Sequence, residues 1–234
     1  MATRRHFLTF TGLFVAGAVL ARAEDLCAVS TQETQAATTA DQAFLRLKAG
    51  NERFRAGRSL HCDLMAQVKA TAQGQAPFAA VLGCMDSRVA PELVFDQQIG
   101  DIFSVRVAGN IVNNDILGSF EYATQVLGTK LVVVLGHSEC GAVKGAVDDV
   151  KLGHLTALLA NIRPSILKVT VGAGDHTSKN KKFVQSVADQ NARDAASQLT
   201  ARSDVLATRV GQHQLKIVSA MHDVSSGAVR WLEG

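Results

Sequence analysis

The hydrophobic positions of this chain change period several times, and each change marks an element. Between 41 and 55, Ala43, Phe44, Leu47 and Phe54 recur at helical spacing, and Gly57 follows as a stop. A second short helix is expected over 64–72. After Pro77 the period disappears. Residues 78–83 form an unbroken apolar run, which suits a strand buried on both faces. Residues 102–107 read as another strand, and Leu131-Val132-Val133-Val134-Leu135 is the clearest buried parallel strand. Helical spacing returns over 115–127, with Asp115 as candidate N-cap and Gly128 as stop, and again over 141–151, 154–169 and 181–209. An exposed loop is expected at 172–178, and a terminal strand pair at 215–221 and 228–232, around Ser225-Ser226-Gly227. Strands alternating with helices predict an α/β fold: a mainly parallel sheet flanked by helices, with a C-terminal strand pair. Residues 24–40, polar and rich in Ala and Thr, read as a loose lead-in to a domain spanning 41–234, without internal repeats.

Composition refines this at the N-terminus. The chain has 234 residues, 47% hydrophobic and 19% charged, too apolar for disorder. Its formal charge of +3 resides in the first 23 residues, which hold Arg4, Arg5 and Arg22 and no acid. The remainder is formally neutral, so no nucleic-acid surface is expected. A basic start, an apolar run at 13–20 and Ala21-Arg22-Ala23 describe an export signal over 1–23, and the run is too short to span a bilayer. Thr3-Arg4-Arg5-His6-Phe7-Leu8 is similar to the twin-arginine signal. A periplasmic protein starting at Glu24, with no membrane attachment after signal removal, is the expectation. Four cysteines are too few for a disulfide scaffold. Cys27 and Cys62 read as two free thiols, with a disulfide formed after export as the alternative.

Two motifs follow two of the buried strands. Cys84-Met85-Asp86-Ser87-Arg88 follows Val81-Leu82-Gly83, and His137-Ser138-Glu139-Cys140-Gly141 follows Val134-Leu135-Gly136. Sites in open α/β sheets form outside the carboxyl ends of strands, so Cys84, His137 and Cys140 can converge. Taken singly, each reads as a core cysteine or histidine. Together, two thiolates and an imidazole suit zinc with a fourth position left open, the catalytic arrangement. A redox dithiol is disfavoured, because there is no C-x-x-C. Asp86 beside a ligand is either a fourth ligand or an acceptor for a hydrogen bond from bound water, and Arg88 can hold it in a bidentate pair. The competing reading is a structural ion pair at a helix start.

Cys84-x-Asp86-Ser87-Arg88-Val89 with Gly136-His137-Ser138-x-Cys140-Gly141 resembles the signature of the β-class carbonic anhydrases. The likeness runs from about Asp41 to the C-terminus, through Phe95-Asp96, Phe103-Ser104-Val105-Arg106, Gly109-Asn110, Glu121-Tyr122-Ala123 and Leu215-Lys216-Ile217-Val218. It implies one zinc per chain on Cys84, His137 and Cys140, and a catalytic dyad of Asp86 and Arg88. It also implies a substrate pocket lined by Gln75, Phe103 and Tyr122. The implied reaction is reversible hydration of carbon dioxide to bicarbonate and a proton, by water whose pKa zinc lowers to about 7. The implied assembly is a homodimer or tetramer that shares its pocket between chains. The family's closed resting form goes with a Trp three residues before the first Cys. Here that position is Val81, so an open site is expected. A hydrolase of carbon disulfide or carbonyl sulfide, and a non-catalytic zinc-binding protein, stay as alternatives. The proton's exit is left open among His154, His176 and buffer.

Overall fold

The structure, a computed structural model, describes residues 26–169 and 175–232. Its centre is a five-stranded sheet in the order β2-β1-β3-β4-β5: β1 (Ala79–Gly83), β2 (Ile102–Arg106), β3 (Leu131–His137), β4 (Lys216–His222) and β5 (Val229–Leu232). The first four are mutually parallel, and β5 runs antiparallel to β4. Every residue of β1 and β3 is buried. Alternation along these strands feeds two cores. Ala80, Leu82, Val132 and Val134 pack on one face with the long helix Lys181–Ala201, while Ala79, Val81, Leu131, Val133 and Leu135 pack on the other with helix Ala40–Arg55. Continuous apolar runs are therefore the expected signature of the central strands, and the parallel α/β fold stands as read.

Numbered in chain order, the helices are α1 (Gln32–Ala37), α2 (Ala40–Arg55), α3 (Leu64–Thr71), α4 (Pro91–Val94), α5 (Asn114–Glu121), α6 (Gly141–Val147), α7 (Gly153–Ala160), α8 (Arg163–Lys168), α9 (Lys181–Ala201) and α10 (Asp204–Gly211). α2 packs so closely on the turn after α4 that a Cβ at Gly50 would stand 1.8 Å from the carbonyl oxygen of Phe95, so that crossing requires glycine.

Several expected boundaries shift, each for a physical reason. The lead-in 24–40 is not loose where it is described. α1 has a capping box from Thr31 and Thr34, and Gln35 Nε2 donates to the carbonyls of Pro77 (2.7 Å) and Leu127 (2.8 Å). Cys27 and Cys62 are joined in a disulfide rather than left as free thiols. The cap of α5 is Asn113, which accepts from the Ile116 N–H, and Asp115 sits inside the first turn. Residues 122–126 wind as a π-turn rather than extending α5. The segment 154–169 divides before Pro164, which has no N–H to continue the ladder. The segment 181–209 divides at Arg202 and Ser203. Arg202 Nη1 donates to Val112 O, and Ser203 Oγ caps α10 while donating to Glu121 Oε1 at 2.6 Å. The export signal expected at 1–23, and residues 172–174 of the expected loop, lie outside the described residues. No helix among the described residues is long and apolar enough to cross a membrane.

Candidate metal centre

The strand order reverses at β1: the chain passes to β2 on one side and returns to β3 on the other. Parallel pairing of Gly83 with Leu135 then leaves the residues beyond both strands side by side at their carboxyl ends, where open α/β sheets form sites. Cys84 leaves β1, His137 ends β3, and Cys140 caps α6 after a turn through Glu139 at φ 57°. All three are buried, and their ligand atoms lie within 4.8 Å of one another.

The thiol sulfurs are 4.0 Å apart. Two thiolates at about 2.3 Å from a tetrahedral zinc would be separated by about 3.8 Å, so the pair is spaced for the ion. His137 Nδ1 is bonded to the Ser138 carbonyl oxygen at 2.9 Å, and Nε2 is buried with no partner. An orphaned buried ring nitrogen facing two sulfurs is costly unless something binds it. The donor set and that orphaned nitrogen both fit zinc. Of the two thiols, Cys84 is the one shifted towards ionisation. A bond from Cys140 lowers it to about 4 against the opposing effect of burial, and His137 and the Gly109 N–H (3.3 Å) add to the lowering. Cys140 is pushed up by the same shared bond and by burial.

Asp86 and Arg88 form the expected fork. Arg88 donates Nε–H to Oδ1 at 2.9 Å and Nη2–H to Oδ2 at 2.8 Å, and its backbone N–H reaches Oδ1 at 3.0 Å. These bonds, the Arg88 side chain first, hold the Asp86 carboxyl well below the usual carboxylate range. Oδ2 lies 3.9 Å from His137 Nε2, so the ionised carboxylate borders the space the three ligands enclose.

The three pocket residues are placed differently. Gln75 is exposed, Tyr122 is 51% exposed, and Phe103 is half-buried on β2 opposite Ala80. Among the described residues none of them hydrogen-bonds to Cys84, His137 or Cys140.

Sequence reasoning missed the support behind the ligands. Asn191 of α9, buried, donates to the Gly109 carbonyl at 2.8 Å and so steadies the residue whose N–H, on the preceding peptide, meets Cys84. Gly109 sits at φ 70°, and a Cβ there would stand 2.7 Å from Ile162 Cδ1, which explains the glycine. Arg106 bonds the carbonyls of Cys84 and Asp86. Buried His222 is the cross-strand neighbour of His137. Arg106 and Gly109 stand in stretches of the family likeness with no role attached to them, and Asn191 and His222 lie in no local motif. The available signal was register: Arg106 pairs with Gly83, and His222 with His137.

A family model described as carbonic anhydrase matches residues 79–229. Carbonic anhydrase 2 of Mycobacterium tuberculosis is 39% identical over 191 residues, 79% of this chain and 89% of that protein. The carbonic anhydrase of Mycolicibacterium smegmatis is 38% identical over 193 residues, 80% of this chain and 90% of that one. Among solved structures, a β-carbonic anhydrase of Aspergillus fumigatus superposes with a TM-score of 0.62 at 26% identity, covering 72% of this chain and 81% of that one. Tetrameric β-carbonic anhydrases of Sordaria macrospora superpose with a TM-score of 0.62 at 25% identity, covering 71% and 85%.

Proposed function

The chain belongs to the β-class carbonic anhydrases, zinc-dependent enzymes that interconvert carbon dioxide and bicarbonate, and we propose that Cys84, His137, Cys140, Asp86 and Arg88 carry that reaction here. The observation that carries the assignment is the convergence of three buried soft ligands beside a carboxylate that an arginine holds ionised. Zinc on these ligands supplies the Lewis acidity that makes water a nucleophile near neutral pH.

The chain's own groups do the rest. Asp86 Oδ2 accepts a hydrogen bond from the attacking oxygen and aims its free lone pair at the carbon of carbon dioxide. Arg88 keeps that carboxylate from closing on the metal. The Gly109 N–H on Cys84 would disperse thiolate charge and so leave a zinc ion held there more electrophilic. Gln75, Phe103 and Tyr122 are assigned to the substrate pocket. The exposure of Gln75 and Tyr122 on a single chain supports a pocket completed by a second chain, in keeping with the tetrameric relatives of Sordaria macrospora. A storage site needs only ligands, so the Asp86–Arg88 fork favours the enzyme over a non-catalytic zinc protein.

Location is part of the same proposal. The leader is read as a twin-arginine signal, and the Cys27–Cys62 disulfide suits an oxidising compartment. Twin-arginine export carries folded proteins, which lets zinc cap the two thiolates before they meet that compartment.

Stopped-flow hydration of carbon dioxide by metal-quantified mature protein tests the assignment. About one zinc per chain and rapid hydration are expected, with both lost in Cys140→Ser. Full zinc without hydration above buffer would overturn the enzymatic reading, and preference for carbon disulfide would redirect it to hydrolysis.

A further inference from the structure

Arg106 ends the edge strand β2 and makes no ion pair among the described residues, although it stands exposed where carboxylates are usual partners. Its guanidinium is spent on backbone. Nε–H donates to the Cys84 carbonyl at 3.0 Å, and Nη2–H donates to the Asp86 carbonyl at 2.5 Å. The base of this clasp is itself fixed, because Arg106 is in register with Gly83 and the Val107 N–H donates to Gly83 O at 3.1 Å. A planar fork holding two acceptors two residues apart immobilises the turn between them, which the single ammonium of a lysine cannot do.

That turn is the one whose position decides the site. Asp86 lies two residues from a ligand, and its Oδ2 is 3.9 Å from the orphaned His137 nitrogen, so a small rotation of the turn would bring the carboxylate to the ion. Arg88 opposes this from the solvent side, but its side chain is 51% exposed and its hold is weakened by screening. Arg106 restrains the same residue through its backbone. We propose that Arg106 is a positioning residue: it pins the Cys84–Asp86 turn so that the Asp86 carboxylate stays in the Arg88 fork and the fourth zinc position stays open. This rests on the assignment of Cys84 as ligand and Asp86 as the orienting carboxylate.

The test compares Arg106→Gln and Arg106→Lys with the parent in zinc-quantified protein. It reads kcat and KM for hydration, together with thiocyanate affinity from the visible spectrum of the cobalt-substituted forms. Arg106→Gln should keep its zinc and lose about tenfold in kcat with KM little changed, the size expected for losing charge-assisted bonds. Thiocyanate, which needs the open position, should bind about tenfold more weakly, and Arg106→Lys should recover part of both. In an Asp86→Asn background, where no carboxylate competes, Arg106→Gln should change thiocyanate binding by less than about twofold. A generally damaged fold would show neither the lysine recovery nor that insensitivity. Parental kcat and thiocyanate affinity in Arg106→Gln would overturn the inference. If that variant does not fold, parental values in Arg106→Lys overturn it equally. If Asp86→Asn leaves kcat unchanged, the role of Asp86 fails and takes this inference with it. If Asp86→Asn is slow while Arg106→Gln is normal, only the role of Arg106 falls.

Discussion

The Oδ2 of Asp86 lies 3.9 Å from the Nε2 of His137, and Arg88 Nη2 holds that same oxygen at 2.8 Å. The carboxylate therefore stands at the edge of the ligand cluster under a lateral pull. Replacing Arg88 by Ala removes the pull and leaves all three ligands in place. Turnover should fall about 10- to 100-fold while zinc content holds near the parent value. Parallel metal quantification and stopped-flow assay check this. Zinc lost in step with activity would instead assign Arg88 to maintaining the fold.

Assembly is the second expectation. Gln75 is exposed, and Tyr122 and Val126 at the π-turn are 51% and 66% exposed, as are Leu93 at 67% and Leu152 at 67%. Large side chains left in water on one chain call for a covering surface, and closed homo-oligomers provide it symmetrically. Light scattering should give at least a dimer at micromolar concentration, and dilution should lower specific activity. A fully active monomer would remove the shared-pocket reading.

The site was legible because its chemistry is local to two strand ends. Cys84 and His137 each follow an apolar run that only a buried strand explains, and one parallel pairing then brings them together. What was not legible depends on partners distant in sequence. α1 is held by Gln35 reaching Pro77 and Leu127, and by Lys130 Nζ donating to the carbonyls of Ala36 and Thr38, none of which the Ala/Thr-rich composition announces. The break between α9 and α10 occurs without Gly or Pro, because Glu121 and Val112 supply bonds that ending the helix requires. The Arg106 clasp is invisible for the same reason: its acceptors are carbonyls, which every residue has.

The Cys27–Cys62 bond closes a loop of sequence separation 35 and ties the lead-in to the chain before α3, where Gln67 Nε2 also donates to Cys27 O at 3.0 Å. Denatured, metal-free protein that carries this bond should therefore titrate two thiols, those of Cys84 and Cys140. Changing Arg4 and Arg5 to Lys should strand zinc-loaded protein in the cytoplasm, where four thiols are expected. Replacing both Cys27 and Cys62 by Ser should cost about 2–4 kcal/mol in denaturant unfolding. Four thiols in exported protein would contradict the bond, and unchanged export of the lysine variant would contradict the twin-arginine reading.

Asp194 on α9 gives a prediction independent of the metal. Burial alone would raise its carboxyl. Lys168 Nζ at 2.6 Å, Ser165 Oγ at 2.7 Å and Gln190 Nε2 at 2.9 Å outweigh burial and hold it below the usual carboxylate range. The folded chain thus binds that proton less tightly than the unfolded one. The stabilisation is fully present above the ordinary Asp value of about 3.9 and is lost as pH falls through the lower folded value. Asp194→Asn keeps the shape and removes the charge, so at pH 7 it should cost about 1–2 kcal/mol by loosening α8 from α9. The gap from the parent should close as pH falls below about 4. Urea unfolding of the metal-free parent and variant across this range measures it with zinc release excluded. A gap that stays constant down to about pH 3 would assign the loss to packing rather than charge.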